Sequence, residues 1–231
     1  MEIHRAPRTR NGASHAVVRP FATYAPWLAD AAFRRTYDRV KANTLVDEYR
    51  CYELWQLVEQ ASKLPAGALL EVGVWRGGTG TLIASAAQRY GITEPVYLCD
   101  TFHGVVKASA ADSSYRGSEH GDTSRQMVED LVDRLDLDNV RILEGVFPDG
   151  TGAAVDSRVL RFVHIDVDVY ESARDVLDWA WPRMAMGGLV VYDDYGFQSC
   201  DGITRAVNEQ RTLADRIVLH NLNGHAVVIK L

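Results

Sequence analysis

Cysteine is scarce in this sequence: Cys51, Cys99 and Cys200 are the only three, far apart and without a CxxC pair. An odd, scattered set excludes a disulfide framework and a thiolate metal site, and it is the usage of a reducing compartment. Long apolar runs are missing too. No stretch approaches the ~18 residues needed to cross a bilayer. The basic N-terminus, MEIHRAPRTRNGASHAVVRP, has no apolar segment of the ~7–15 residues that a secretory signal requires. Nor is there an excess of positive charge, since 25 Lys and Arg stand against 31 Asp and Glu, a formal charge of −6. Coating a nucleic acid needs the opposite balance, because phosphate binding rests on Lys and Arg. Repeats and low-complexity segments are absent as well. The expectation is a soluble cytoplasmic protein with neither nucleic acid nor membrane as partner.

What is present is an ordinary globular composition, 47% hydrophobic and 24% charged, over 231 residues. At ~150 residues per domain, that length suits one domain with additions. Residues 1–22 carry Arg5, Arg8, Arg10 and Arg19 with Pro7 and Pro20, and lack periodic apolar positions; they read as a flexible arm. Residues 23–231 read as the single domain, with helical additions over 23–66. Phe33, Tyr37 and Val40 recur at helical spacing, and Tyr52, Trp55 and Val58 mark a second helix over about 47–62. The aromatics Trp27, Tyr37, Tyr52 and Trp55 suit either core packing or substrate contact.

Strand-like runs then alternate with helical segments. They are Ala68 to Val74, Val96 to Cys99, Val140 to Leu143, Val159 to Ile165 and Leu189 to Tyr192. Two more, Arg216 to Leu219 and Ala226 to Ile229, flank Asn221-Leu222-Asn223-Gly224, whose Asn-Gly is a hairpin signal. The class predicted is α/β: a Rossmann-like sheet of seven mostly parallel strands with an antiparallel C-terminal strand. Such sheets bind ligands beyond the carboxyl ends of their strands.

The candidate site residues fall at those ends. Glu71-Val-Gly73-Val-Trp-Arg-Gly77-Gly78-Thr79-Gly80 joins the first strand to its helix, and its spacing is not GxGxxG. Glycines there let a ligand approach the backbone at a helix N-terminus. Asp100, ending the second strand, is placed to hold the two hydroxyls of an adenosine ribose. Glu71 inside the first turn would repel a pyrophosphate and attract a cation, which favours the ammonium and sulfonium of S-adenosylmethionine over a nicotinamide dinucleotide. A nucleotide-binding module without catalysis stays open at this point, and a pyridine-nucleotide oxidoreductase is disfavoured.

His164-Ile165-Asp166-Val167-Asp168 ends the fourth strand and Tyr192-Asp193-Asp194-Tyr195 the fifth. Neighbouring strands would gather these carboxylates into one cleft, where a hard divalent cation relieves their repulsion. With no His/Cys cluster in view, Mg²⁺ is preferred to zinc, with Mn²⁺ or Ca²⁺ as alternatives. A metal-held hydroxyl gives up its proton more readily, and a nearby carboxylate can take it. His164 reads as a packed strand residue rather than a base. Between the second strand and its helix, the polar stretch 101–122 exceeds ordinary βα connections and reads as a lid.

The combination YELWQL, LLEVGVWRGGTG, LCDTFHGVVKA, GSEHGDTS, HIDVDVYESARDVL and GGLVVYDDYGFQSCDGITRAVNE resembles the macrocin-type macrolide sugar O-methyltransferases. The resemblance spans residues 21–231. It implies a class I methyltransferase fold and Mg²⁺-dependent transfer of a methyl group from S-adenosylmethionine to a deoxysugar hydroxyl on a glycosylated natural product. Carried over by motif, the metal aspartates are Asp166, Asp193 and Asp194, and the general base is Asp168. The cofactor set is Glu71 and Gly73 on the methionine part, Asp100 on the ribose, Thr101 and Phe147 beside the adenosine, and Asp166; Thr44 and Ser118 carry over more weakly. A homo-oligomer, dimer or tetramer, is also implied. A metal-dependent O-methyltransferase of a small phenol or catechol is the alternative, and Asp168 argues against it because that group uses a lysine as base.

Overall fold

The computed structural model describes residues 8–10, 13–16, 22–157 and 159–231. Within the stretch read as a flexible arm, β1 (Arg8–Arg10) pairs antiparallel with β2 (Ala13–His15). The rest of that arm, residues 1–7, 11–12 and 17–21, lies outside the described residues.

Two aspartates start the N-terminal helices. Asp30 caps α1 (Ala31–Val40), accepting the Ala32 and Phe33 amides, and Asp47 caps α2 (Glu48–Ala61), accepting those of Tyr49 and Arg50. Such caps satisfy amides that the first turn leaves unpaired. Cys51, Leu54, Trp55 and Val58 then form the buried stripe of α2. Tyr52 and Trp55 are in the core, and Trp27 and Tyr37 pack against it.

The elements that follow are β3 (Ala68–Val72), α3 (Gly78–Arg89), β4 (Val96–Asp100), α4 (Arg125–Leu135), β5 (Val140–Glu144), β6 (Leu160–Ile165), α5 (Tyr170–Ala180), β7 (Met184–Tyr192), α6 (Asp201–Gln210), β8 (Arg216–His220) and β9 (Ala226–Lys230). The seven strands are ordered β5-β4-β3-β6-β7-β9-β8. From β5 to β7 every pairing is parallel, and β9 runs antiparallel to both neighbours. The α/β sheet and its antiparallel C-terminal strand are as the sequence predicts.

Two boundaries differ by more than one residue. β3 stops at Val72 rather than Val74, because Gly73 takes φ +89° and turns the chain. β7 begins at Met184, before the apolar run; Gly187 (φ +76°) and Gly188 hide its start, and the register with β6 shifts there.

Alternation along the strands divides the core into two layers. Leu69, Leu98, Phe162 and Val191 pack with α1, α2 and α3, while Leu70, Tyr97, Val163, Ile165 and Val190 pack with α5 and α6. The chain steps from β3 outward to β5, then returns to β6 on the other side of β3. This is a switch of direction, and it opens a crevice at the carboxyl ends of β3 and β6.

Candidate active site

That crevice is a cleft whose walls include Gly73, Asp100, Phe147, Asp166, Asp168 and Asp194. At its head, Gly73 is the only residue type that fits: a Cβ there would lie 1.6 Å from the Asp166 carbonyl oxygen. The following amides are fixed by Asp100. Its Oδ2 accepts from Val74 (2.6 Å) and Trp75 (2.8 Å), and its Oδ1 from Phe102 (2.7 Å). A carboxylate has about four lone-pair sites, so Oδ1 keeps one to offer a ligand. Thr101 and Thr44 also line the cleft; Thr101 is held by its Oγ1 donating to the Gly104 carbonyl. Phe147 stands edge-on to Trp179, ring centroids 4.9 Å apart.

Two residues of the expected cofactor set are placed elsewhere. Glu71 alternates with Leu70 and Val72, so its side chain enters the α2–α3 layer, away from the cleft. There it is fully buried, with Oε1 2.8 Å from His164 Nδ1 and Oε2 unpaired. Gly80 leaves the room it occupies, since a Cβ at Gly80 would meet Glu71 Oε2 at 2.4 Å. Contrary to the expectation from its charge, Glu71 therefore does not face the cleft in which a cofactor's ammonium would lie. Ser118 sits at φ +71° in the lid, where its amide donates to the Val105 carbonyl, and it is not among the residues lining the cleft.

The stretch read as a lid, residues 101–122, has neither helix nor strand and is anchored at its middle and at its C-terminal end. Asp112 is buried and supplies the α5 cap that Val169 cannot, accepting the Tyr170 amide at 2.9 Å. Asp122 accepts from Trp75 Nε1 at 2.8 Å. Between these points Tyr115 and His120 reach into the cleft. The Tyr115 hydroxyl donates to Asp168 Oδ1 at 2.6 Å, and His120 Nε2 lies 3.9 Å from Asp168 Oδ2.

The carboxylates meet as expected. Ile165 pairs with Tyr192 across β6 and β7, which brings Asp166 and Asp168 beside Asp193 and Asp194. One oxygen from each of Asp166, Asp193 and Asp194 lies within 4.8 Å of the others. Their ionisation is uneven. Burial, then the charges of Asp193 and Asp194, push Asp166 well above the ordinary carboxylate range. Burial, then Asp193 and Asp168, push Asp194 up to about 8. Burial also opposes ionisation of Asp193, but His225, Arg50 and His164 outweigh it and hold its pKa below the ordinary value.

The profile of the macrocin-O-methyltransferase (TylF) family matches residues 29–228. The chain belongs to that family. Membership places it among S-adenosylmethionine-dependent O-methyltransferase enzymes. One relative is an 8-demethyl-8-(2,3-dimethoxy-alpha-L-rhamnosyl)-tetracenomycin-C 4'-O-methyltransferase of Streptomyces olivaceus. It is 34% identical over 171 residues, 69% of this chain and 65% of the relative, so the chain spans about two thirds of that protein's length. A mycinamicin III 3''-O-methyltransferase of Micromonospora griseorubida is 30% identical over 191 residues, 77% of this chain and 74% of its own length. Among solved structures, the O-methyltransferase NovP superposes with a TM-score of 0.68 at 27% identity, covering 81% of each chain.

In this methyltransferase the acidic cluster has cationic partners that the sequence reading missed. Arg50 is buried on α2, and its Nη1 lies 2.6 and 2.8 Å from the Asp193 oxygens and 3.5 Å from Asp194 Oδ1. Asp47 anchors it, accepting from Arg50 Nε at 2.8 Å. His225, fully buried on the approach to β9, has Nε2 2.9 Å from Asp193 Oδ1, an ion-pair contact without hydrogen-bond alignment. A charge at helical spacing from Asp47 is all the sequence shows of Arg50.

Proposed function

We propose that this protein methylates a hydroxyl of a deoxysugar on a glycosylated natural product, with Asp168 as general base and Asp166, Asp193 and Asp194 holding a divalent cation. The observation that carries this reading is the convergence of the three carboxylates within 4.8 Å, with Asp168 beside them in the same cleft. The donor set fits a hard cation because it is all oxygen. Burial, then the charges of neighbouring carboxylates, raise Asp166 and Asp194 above the ordinary carboxylate range, and a dication among these oxygens would relieve that repulsion. Mg²⁺ is the cation proposed.

When bound, the cation supplies polarisation of the acceptor oxygen, and S-adenosylmethionine supplies the methyl group. The chain's own residues do the rest. Asp168 Oδ1 is occupied by the Tyr115 hydroxyl, so Oδ2 is the oxygen that takes the acceptor's proton. Asp100, fixed by three amides, offers its free lone pair to the ribose. Gly73 would let the cofactor's methionine part lie against the backbone, Thr101 and Phe147 would border the adenosine, and Asp166 would complete the cofactor set; all four line the cleft. Thr44 closes the cleft from the α1–α2 junction. The lid, held over the site through Asp112 and Asp122, keeps water from the reacting atoms.

The relatives' printed names support sugar hydroxyls as acceptors. A homo-oligomer acting in the cytoplasm is part of the proposal; among the described residues no helix is long and apolar enough to cross a membrane. The test is a methyl-transfer screen against glycosylated macrolides and related glycosides, with and without a chelator, read by mass spectrometry. A product 14 mass units heavier, formed only with cation present, is expected from the mass of the added CH₂ (~14). Equal turnover of a free phenol and no turnover of any glycoside would overturn the reading.

A further inference from the structure

The Asn-Leu-Asn-Gly-His stretch before β9 does more than turn a hairpin. Asn221 Nδ2 donates to Glu53 Oε1, Asn223 Nδ2 donates to Glu53 Oε2 at 2.5 Å, and His225 Nδ1 lies 2.8 Å from Glu53 Oε2. Asn223 Oδ1 in turn accepts the His225 amide at 3.0 Å. A hairpin needs none of these contacts with a helix; its Asn-Gly turn is satisfied by backbone geometry, with Gly224 at φ +107°. Glu53 is on α2, one turn beyond Arg50 and two beyond Asp47, so a single helix face presents all three. Burying a histidine, a carboxylate and two amides costs more than packing apolar residues in the same space. Fold stability alone gives no reason for it.

The arrangement has an outlet. With Nδ1 committed to Glu53, the His225 ring is fixed in plane, and its Nε2 stands 2.9 Å from Asp193 Oδ1. Arg50 grips the same carboxylate from the cleft side, while His225 stands behind it, fully buried. We propose that Glu53 and His225 are positioning residues: α2 and the β8–β9 hairpin together hold the Asp193 carboxylate in the orientation that a cation requires. The inference rests on the reading that Asp166, Asp193 and Asp194 form a cation site. Groups that hold a metal's ligands from behind fix the ligand geometry, and their loss weakens metal affinity roughly 10–100-fold.

The test is Mn²⁺ titration of the full chain, following the free-ion signal by electron paramagnetic resonance, in wild type, Glu53→Gln, His225→Gln and the double variant. S-adenosylhomocysteine binding by calorimetry reports whether each variant keeps its fold. Each single variant is expected to bind Mn²⁺ about tenfold or more weakly with S-adenosylhomocysteine affinity unchanged. The double variant should be little weaker than either single, because the two residues act through one contact. Glu53→Gln is isosteric and carries the test even if His225→Gln fails to fold. Wild-type Mn²⁺ affinity in a folded Glu53→Gln variant overturns the positioning role alone. Absence of Mn²⁺ binding by the wild type, with Asp194→Asn no different from it, overturns the cation reading and this inference together.

Discussion

Replacing Asp168 by Asn isolates proton transfer from binding. The residue sits at φ +64°, a left-handed conformation that Asn adopts more readily than most residues, so the backbone has little reason to move. The amide is isosteric, and its oxygen can still accept the Tyr115 hydroxyl now 2.6 Å from Oδ1. Its NH₂ then occupies the Oδ2 position, where it can donate a proton but not take one. A positioned general base contributes roughly 10²–10⁴ in rate, equivalent to about 2.7–5.4 kcal/mol of barrier. Turnover measured in single-turnover experiments should fall by that factor, while S-adenosylhomocysteine and Mn²⁺ affinities measured by calorimetry stay within about threefold, or ~0.7 kcal/mol. A variant with turnover within threefold of wild type would mean that another group takes the proton. Loss of cofactor binding together with turnover would instead make Asp168 a binding residue.

Three further outcomes are expected. Gly73→Ala forces a Cβ to 1.6 Å from the Asp166 carbonyl at φ +89°; the conformation alone costs about 1–2 kcal/mol, so a lower melting temperature and loss of cofactor-induced stabilisation should appear in thermal scans, and an unchanged scan would refute the close approach of β3 and β6. Tyr115→Phe removes the donor to Asp168; a hydrogen bond to a charged group is worth about 1.5–3 kcal/mol, so kcat should drop about tenfold or more with KM for S-adenosylmethionine unchanged. Chelation should abolish turnover and Mg²⁺ or Mn²⁺ restore it, whereas Asp194→Asn should need much more cation; chelator-resistant turnover would remove the metal from the reaction.

The sheet was legible because its signals are local. Apolar runs alternating with helical stripes, and an Asn-Gly before the last strand, mark the strands and their directions without distant information. The acidic half of the site was legible for the same reason, since Asp166, Asp168, Asp193 and Asp194 each follow a strand directly. Glu71 was misread, although the correcting signal was present. Alternation with period two puts it on the face of Leu69, opposite Leu70 and Val72, and a carboxylate on that face cannot also head the cleft. Arg50 lies 143 residues from Asp193, and Glu53 lies 172 from His225. No periodicity connects such pairs, so only the folded chain brings them together.

That separation alters what the N-terminal helices are for. Read as an addition to a methyltransferase sheet, they invite a role in substrate choice, and Thr44 at their junction does line the cleft. Yet Trp55 and Tyr52 are spent on the core, and the polar face of α2 turns inward to Asp193 and His225. Without Arg50 on that face and His225 behind it, Asp193 would be a buried carboxylate among carboxylates. Burial and repulsion would then drive it toward protonation, as they do Asp194. A protonated Asp193 is a poor ligand for a hard cation. His225, before β9, and Arg50, on the helix that looks peripheral in the sequence, therefore keep the central aspartate of the cluster ionised together, and α2 borders the cleft with β6 and β7.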